Sequence, residues 1–155
     1  MKGKRRAVRV VIGGTFNHMH RGHIALISKA FEVGDYVYIG LTTDRYAGSS
    51  RHGARVEGYA TRRKAVKKLA AGFGKDFEIE PLRDRFGPAA TGRFDAIVVS
   101  DETLPVAVEI NRERRRNGLT RLSIVRVPTV LAADLVPISS SRIARGEIDS
   151  EGNLV

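Results

Sequence analysis

The stretch Gly13-Gly14-Thr15-Phe16-Asn17-His18-Met19-His20-Arg21-Gly22-His23 joins an apolar strand to an amphipathic helix. Three of the chain's four histidines fall within it. Imidazole, hydroxyl and backbone N–H groups therefore gather at a helix start, where the dipole already attracts anions. That combination points to phosphate chemistry.

Outward from this stretch, residues 7–12 form a short β-branched run ending in two glycines, the pattern of a buried parallel strand. From about Arg21 the apolar positions Ile24, Ile27, Ala30 and Phe31 recur at helical spacing until Gly34 stops the helix. Further strands are predicted over 36–42, 77–82, 96–99 and 122–127. A second helix covers 59–71, with Ala65, Val66 and Leu69 inward. A third has Thr103 as N-cap and Pro105 in its first turn, and ends at Asn117-Gly118. Residues 44–58, rich in Gly, Ser and Arg with little periodicity, read as a long loop of the kind that is functional or disordered, and 83–93 as a second irregular stretch. Ser139-Ser140-Ser141-Arg142-Ile143 opens a short last helix.

Strand and helix alternate without repeat or linker. The expectation is an α/β fold in a single domain spanning 1–155: a Rossmann-like doubly wound, five-stranded parallel sheet with helices on both faces. Ligands bind such sheets at the carboxyl ends of the strands. Residues 13–23, 42–44 and 100–103 should then share one rim.

Composition narrows the function. Of 155 residues 42% are hydrophobic and 28% charged, and no apolar run approaches the ~20 residues that cross a bilayer. The basic leader at 1–6 runs into a strand broken by Arg9, so it reads as no signal peptide. Without cysteine there is no disulfide or thiolate chemistry, which suits a cytoplasmic protein. A net charge of +10 draws in polyanions or simply solvates the surface. Arg62, Arg63, Lys64, Lys67, Lys68, Arg112, Arg114, Arg115 and Arg116 fall on predicted helix faces, and aromatics are not interleaved with them. Solvation therefore accounts for most of the charge; nucleic acid is disfavoured as a partner, and no membrane contact is expected.

The histidines lack the company a metal needs. Gly22 stands where a His-Xaa-His-Xaa-Asp-His zinc pattern has its aspartate; elsewhere there is only His52, and no cysteine completes a shell. Neither the dinucleotide fingerprint nor a P-loop is present. His18 and His52 read as surface groups. Gly22 lets a ligand approach the backbone between His20 and His23, and His23 projects from the first helical turn, where a phosphate would sit.

Thr15-Phe16 followed by His20-Arg21-Gly22-His23, with Ile138-Ser139-Ser140-Ser141-Arg142-Ile143 near the C-terminus, resembles the nucleotidylyltransferase superfamily and its paired His-Xaa-Gly-His and Ile-Ser-Ser-Thr/Ser signatures. Gly13 to Phe16, Phe86-Gly87-Pro88, residues 96–103, Asn111, Gly118-Leu119 and Gly146-Glu147-Ile148-Asp149 are similar to the archaeal phosphopantetheine adenylyltransferases, nearly end to end.

The resemblance implies transfer of the adenylyl group of ATP to 4′-phosphopantetheine, giving dephospho-coenzyme A and pyrophosphate. The attacking phosphate is already charged, so the site must align groups and stabilise charge rather than create a nucleophile. By correspondence His23 contacts the α-phosphate and His20 holds the triphosphate. Gly14, Thr15, Phe16 and Gly22 would position acceptor phosphate and nucleotide. Ser139, Ser140 and Ser141, with Arg142, would receive the β- and γ-phosphates. Asp101, Glu102 and Thr103 would line the nucleotide, and Arg114 would reach a phosphate. Mg²⁺ would arrive with ATP, held by phosphate oxygens and water.

The chain departs from the family pattern in three places. Asn17 replaces an aspartate, Ala144 replaces an arginine beside Arg145, and the loop after the second strand lacks its lysine, leaving Arg45 or Arg51 to serve. Two other readings stay open. One is a related enzyme acting on nicotinamide mononucleotide, flavin mononucleotide or glycerol phosphate. The other is a non-catalytic basic nucleic-acid-binding protein, with salt-sensitive binding and no pyrophosphate release.

Overall fold

Five short strands pair into one sheet, the inner ones richest in apolar residues and the edge strand at 76–82 alternating acidic with apolar. They are β1 (Arg9–Gly14), β2 (Tyr36–Thr42), β3 (Asp76–Leu82), β4 (Ala96–Val99) and β5 (Ser123–Arg126). Every pairing is parallel, in the order β3-β2-β1-β4-β5. The computed structural model describes residues 5–49 and 55–155.

Central strands of such a sheet are buried on both sides, which is why they carry no polar alternation. Val10 and Ile12 pack on one face with Ile27 and Phe31 of α1 (Arg21–Val33) and Val66 of α3 (Tyr59–Ala71). Val11, Ile97 and Val99 pack on the other with Ala107 and Ile110 of α4 (Leu104–Arg116). The doubly wound architecture expected from the alternating pattern is therefore present. Strand order reverses between β1 and β4, so their carboxyl ends open a crevice.

Three local expectations need correction. The stretch after β2 is not loop throughout, because Asp44–Ser49 forms a short helix, α2, with Asp44 favourably placed against its N-terminal dipole. Thr103 occupies the N-cap position of α4, yet its hydroxyl does not cap the helix. It accepts instead from Ser100 N–H at 3.1 Å, closing the turn after β4. The second irregular stretch contains a 3-10 turn, Gly87–Ala90, whose Ala89 and Ala90 are buried.

Beyond β5 the chain leaves the sheet and folds back over the carboxyl rim. Ala132, Ile138 and Ile148 make a small separate core there, and α5 (Ser140–Ala144) follows Ser139 as its N-cap. The final turn then docks on the start of α1, where Arg21 N–H donates to the Ser150 carbonyl at 3.0 Å. Among the described residues no helix is long and apolar enough to cross a membrane.

Candidate active site

The crevice is a cavity of about 690 Å³. Its walls come from the turn after β1 (13–17), the first turn of α1, residues 100–103 after β4, 127–130 after β5, and 137–141 at the start of α5. Both signature segments, far apart in sequence, thus line one space. Residues 42–44 do not line it. Thr42 stands behind Thr15, and α2 contributes Ala47 instead.

The turn after β1 is held in an unusual backbone. Phe16 and His18 adopt φ of 50° and 46°, the left-handed region that side chains rarely enter. The ring of buried Phe16 approaches Gly14 so closely that an added Cβ there would lie 3.1 Å from it. Residues 55–57 secure the turn from outside. Buried Asn17 donates through Nδ2 to the Arg55 carbonyl (3.0 Å) and accepts through Oδ1 from Glu57 N–H (2.9 Å), while the Glu57 carboxylate accepts from His18 N–H (2.8 Å). An amide can do both jobs and an ionised carboxylate only one, which gives the departure at position 17 a structural meaning.

His20 is the N-cap of α1. Its Nδ1 accepts from Gly22 N–H at 3.0 Å and His23 N–H at 3.4 Å, and His23 Nδ1 accepts from His20 N–H at 3.3 Å. The two rings stack with centroids 3.7 Å apart, and Phe16 meets the His23 ring edge-on. Gly22 is required by this packing, since a Cβ there would sit 2.9 Å from the His20 ring. Burial, then the charge that His18 would carry, lowers the His20 pKa to about 4. Burial, then the charges of His20 and His18, lowers that of His23 to about 3. Both imidazoles are therefore neutral near pH 7. With each Nδ1 occupied as an acceptor, the ring proton is on Nε2. The pair is a fixed set of two N–H donors at a helix N-terminus, the arrangement that serves an anion.

The serine run divides its work. Ser139 Oγ caps α5 by accepting from Arg142 N–H, and Ser140 Oγ donates to the Asn17 carbonyl, tying the C-terminal segment to the turn after β1. Among the described residues the Ser141 hydroxyl has no hydrogen-bond partner, and it lines the cavity. Asp101, Glu102 and Thr103 line it too, but Asp101 is engaged with Arg126 and Thr129, which hold its carboxyl below the usual range. Among the described residues no group of three or more His, Cys, Asp and Glu side chains is placed to hold a metal ion.

Four basic residues do not stand where the sequence put them. Arg142 is buried, and its guanidinium binds Asp134, Glu147 and the carbonyls of Val136 and Pro137, bracing the pocket wall rather than facing a phosphate. Arg114 is also buried; it donates to the carbonyls of Thr120, Ala89 and Gly92, away from the cavity. Arg62, read as a solvated cation, is completely buried on α3. Arg45 is exposed on α2, outside the cavity lining, and Arg51 lies outside the described residues.

Sequence reasoning missed Val56, the 127–130 wall and the buried arginines. A signal for the arginines did exist. Arg62 shares a helical stripe with Val66 and Ala70, and Arg114 with Ala107 and Ile110.

The cytidylyltransferase-like family model matches residues 11–146. A phosphopantetheine adenylyltransferase of Methanothermobacter thermautotrophicus is 42% identical over 98% of this chain and 92% of its own length. That of Methanopyrus kandleri is 47% identical over 91% of this chain and 90% of its own. A crystal structure from Archaeoglobus fulgidus, described as of unknown function, superposes with a TM-score of 0.71 at 34% identity, covering 77% of this chain and 89% of that one.

Proposed function

The chain belongs to the cytidylyltransferase-like family and, within it, to the phosphopantetheine adenylyltransferases, and from that premise we infer how its residues carry the reaction. The enzyme transfers the adenylyl group of ATP to 4′-phosphopantetheine, a step of coenzyme A biosynthesis. An oxygen of the acceptor phosphate forms a bond to the α-phosphorus of ATP as the bond to the β-phosphate oxygen breaks. Dephospho-coenzyme A forms and pyrophosphate leaves.

The observation that carries the residue roles is the stacked, neutral histidine pair, its two Nε2–H groups fixed beside the opening of α1. His23 donates to the α-phosphate as its charge spreads in the transition state, and His20 to the β- and γ-phosphates that depart from it as pyrophosphate. Neutral donors suit this task, because they need shed no proton and keep one geometry throughout. Gly22 leaves room for the His20 ring against the helix start, Thr15 and Phe16 border the acceptor phosphate, and Ser141 offers its hydroxyl from the opposite wall. Among the lining carboxylates Asp101 is already paired, so the donor set is hydroxyl, imidazole and amide. Mg²⁺ fits such a site as a companion of ATP, bound by phosphate oxygens and water; when bound it offsets phosphate charge.

The test is pyrophosphate release from ATP with phosphopantetheine, wild type against His23→Ala. Loss of one transition-state donor should lower kcat by at least ~100-fold. Undiminished turnover in the variant would remove His23 from the mechanism. Turnover with nicotinamide mononucleotide and none with phosphopantetheine would overturn the acceptor.

A further inference from the structure

Arg62 is the largest fully buried side chain of the described residues, and its hydrogen bonds reach Thr15 on the cavity wall together with Thr42, Asp44 and Glu57 behind it. Nε donates to the Glu57 carbonyl at 2.7 Å, and Nη2 to Asp44 Oδ1 at 2.9 Å. Nη1 donates to both the Thr15 carbonyl (3.0 Å) and Thr42 Oγ1 (3.2 Å). One guanidinium thus joins the turn after β1, the end of β2, the start of α2 and residue 57. A buried charge is retained only where its hydrogen bonds are met, and here the partners are those that shape the site.

A guanidinium can only donate. Thr42 Oγ1 therefore accepts from Arg62, and its own hydrogen goes to Thr15 Oγ1, 3.0 Å away. Thr15 Oγ1, having accepted, must direct its hydrogen elsewhere, and Thr15 is half-buried on the cavity wall. We infer that Arg62 is a positioning residue which, through Thr42, locks the Thr15 hydroxyl as a donor pointing into the phosphate pocket. An isolated threonine hydroxyl would rotate between donating and accepting. One that already accepts from Thr42 has its own hydrogen turned away from that neighbour, pre-set for an anionic oxygen with no reorganisation when charge develops. This inference rests on the adenylyl-transfer reading for the identity of that oxygen, but the relay itself belongs to the folded chain.

The experiment is a double-mutant cycle. Thr42→Val, Thr42→Ser, Thr15→Val, the Thr42→Val/Thr15→Val pair, and Arg62→Lys alone and in the Thr15→Val background are compared for kcat, KM for phosphopantetheine, and Tm. Thr42→Val keeps shape and loses the relay hydroxyl, so kcat should fall about tenfold, part of the effect of losing a donor outright. Thr42→Ser should stay within about twofold of wild type, since its hydroxyl completes the same relay. In the Thr15→Val background Thr42→Val should not lower kcat further, and Arg62→Lys should cost less than it does alone, keeping only the part that comes from its bonds to Glu57, Asp44 and the Thr15 carbonyl. Multiplicative losses, or a Thr42→Ser variant as impaired as Thr42→Val, would overturn the relay. If Arg62→Lys does not fold, the Thr42 arm decides alone. A wild type inactive with phosphopantetheine would refute the functional reading and not this one. Calorimetric affinity for inorganic phosphate, which matches the acceptor group beside Thr15, then reads the relay in the same proteins, with equal affinities overturning it and coupled losses supporting it.

Discussion

Lowering the pH should destabilise this protein through the stacked histidines, by an amount that can be worked out for His23. Unfolded, His23 titrates near 6.5; folded, burial and its neighbours hold it at about 3. Above pH 6.5 neither state binds the proton and the group is neutral to stability. Below it the unfolded chain gains a proton the folded site refuses, so stability falls as pH drops through the window down to about 3. Between pH 7.5 and pH 5 the difference is about 2 kcal/mol from His23 alone. His20, held at about 4, adds in the same direction. Urea unfolding of wild type and His23→Gln across that range isolates the contribution, because every carboxylate titrates in both proteins. The wild type should lose about 2 kcal/mol more than the variant. Parallel losses would refute the reasoning, as would an imidazole nitrogen spectrum in which folded His23 takes up its proton near pH 6.5.

Other substitutions separate scaffold from chemistry. Arg114→Met should leave the carbonyls of Thr120, Ala89 and Gly92 without their donor, costing about 2 kcal/mol in urea unfolding while the KM for ATP holds. Gly22→Ala pushes a methyl group into the His20 ring, so kcat should fall on the order of 100-fold with a small change in Tm. Asn17→Asp keeps the bond from Glu57 N–H and loses the donor to the Arg55 carbonyl. Trypsin should then cleave after Arg55 several-fold faster, at a rate read from the fragment's appearance on a gel.

The sheet was legible because each of its inner strands is a short aliphatic run, a pattern only burial on both faces explains. The histidine turn was legible because glycine, hydroxyl and imidazole crowd one strand-to-helix junction. What sequence could not show was where a charge points. Arg142 sits beside a phosphate-binding signature and Arg114 in an arginine-rich run, yet both guanidinia turn inward to carbonyls or carboxylates. Position along the chain does not reveal such partners, which come from segments 5 to 25 residues away. The helical stripe of Arg62, Val66 and Ala70 was a usable clue, masked by the four basic neighbours Arg63, Lys64, Lys67 and Lys68. The helix at 44–49 escaped notice because its glycine and serine content favours coil, and packing overrides that preference.

The docking of Ser150 on Arg21, together with the Ser140 bond to Asn17, bears on how the molecule is made. A ribosome delivers the histidine turn well before the residues at 140 and 150 that clasp it. A nascent polypeptide arrested between the two would hold the strands of the sheet and an unfinished reaction centre, so competence waits on the clasp.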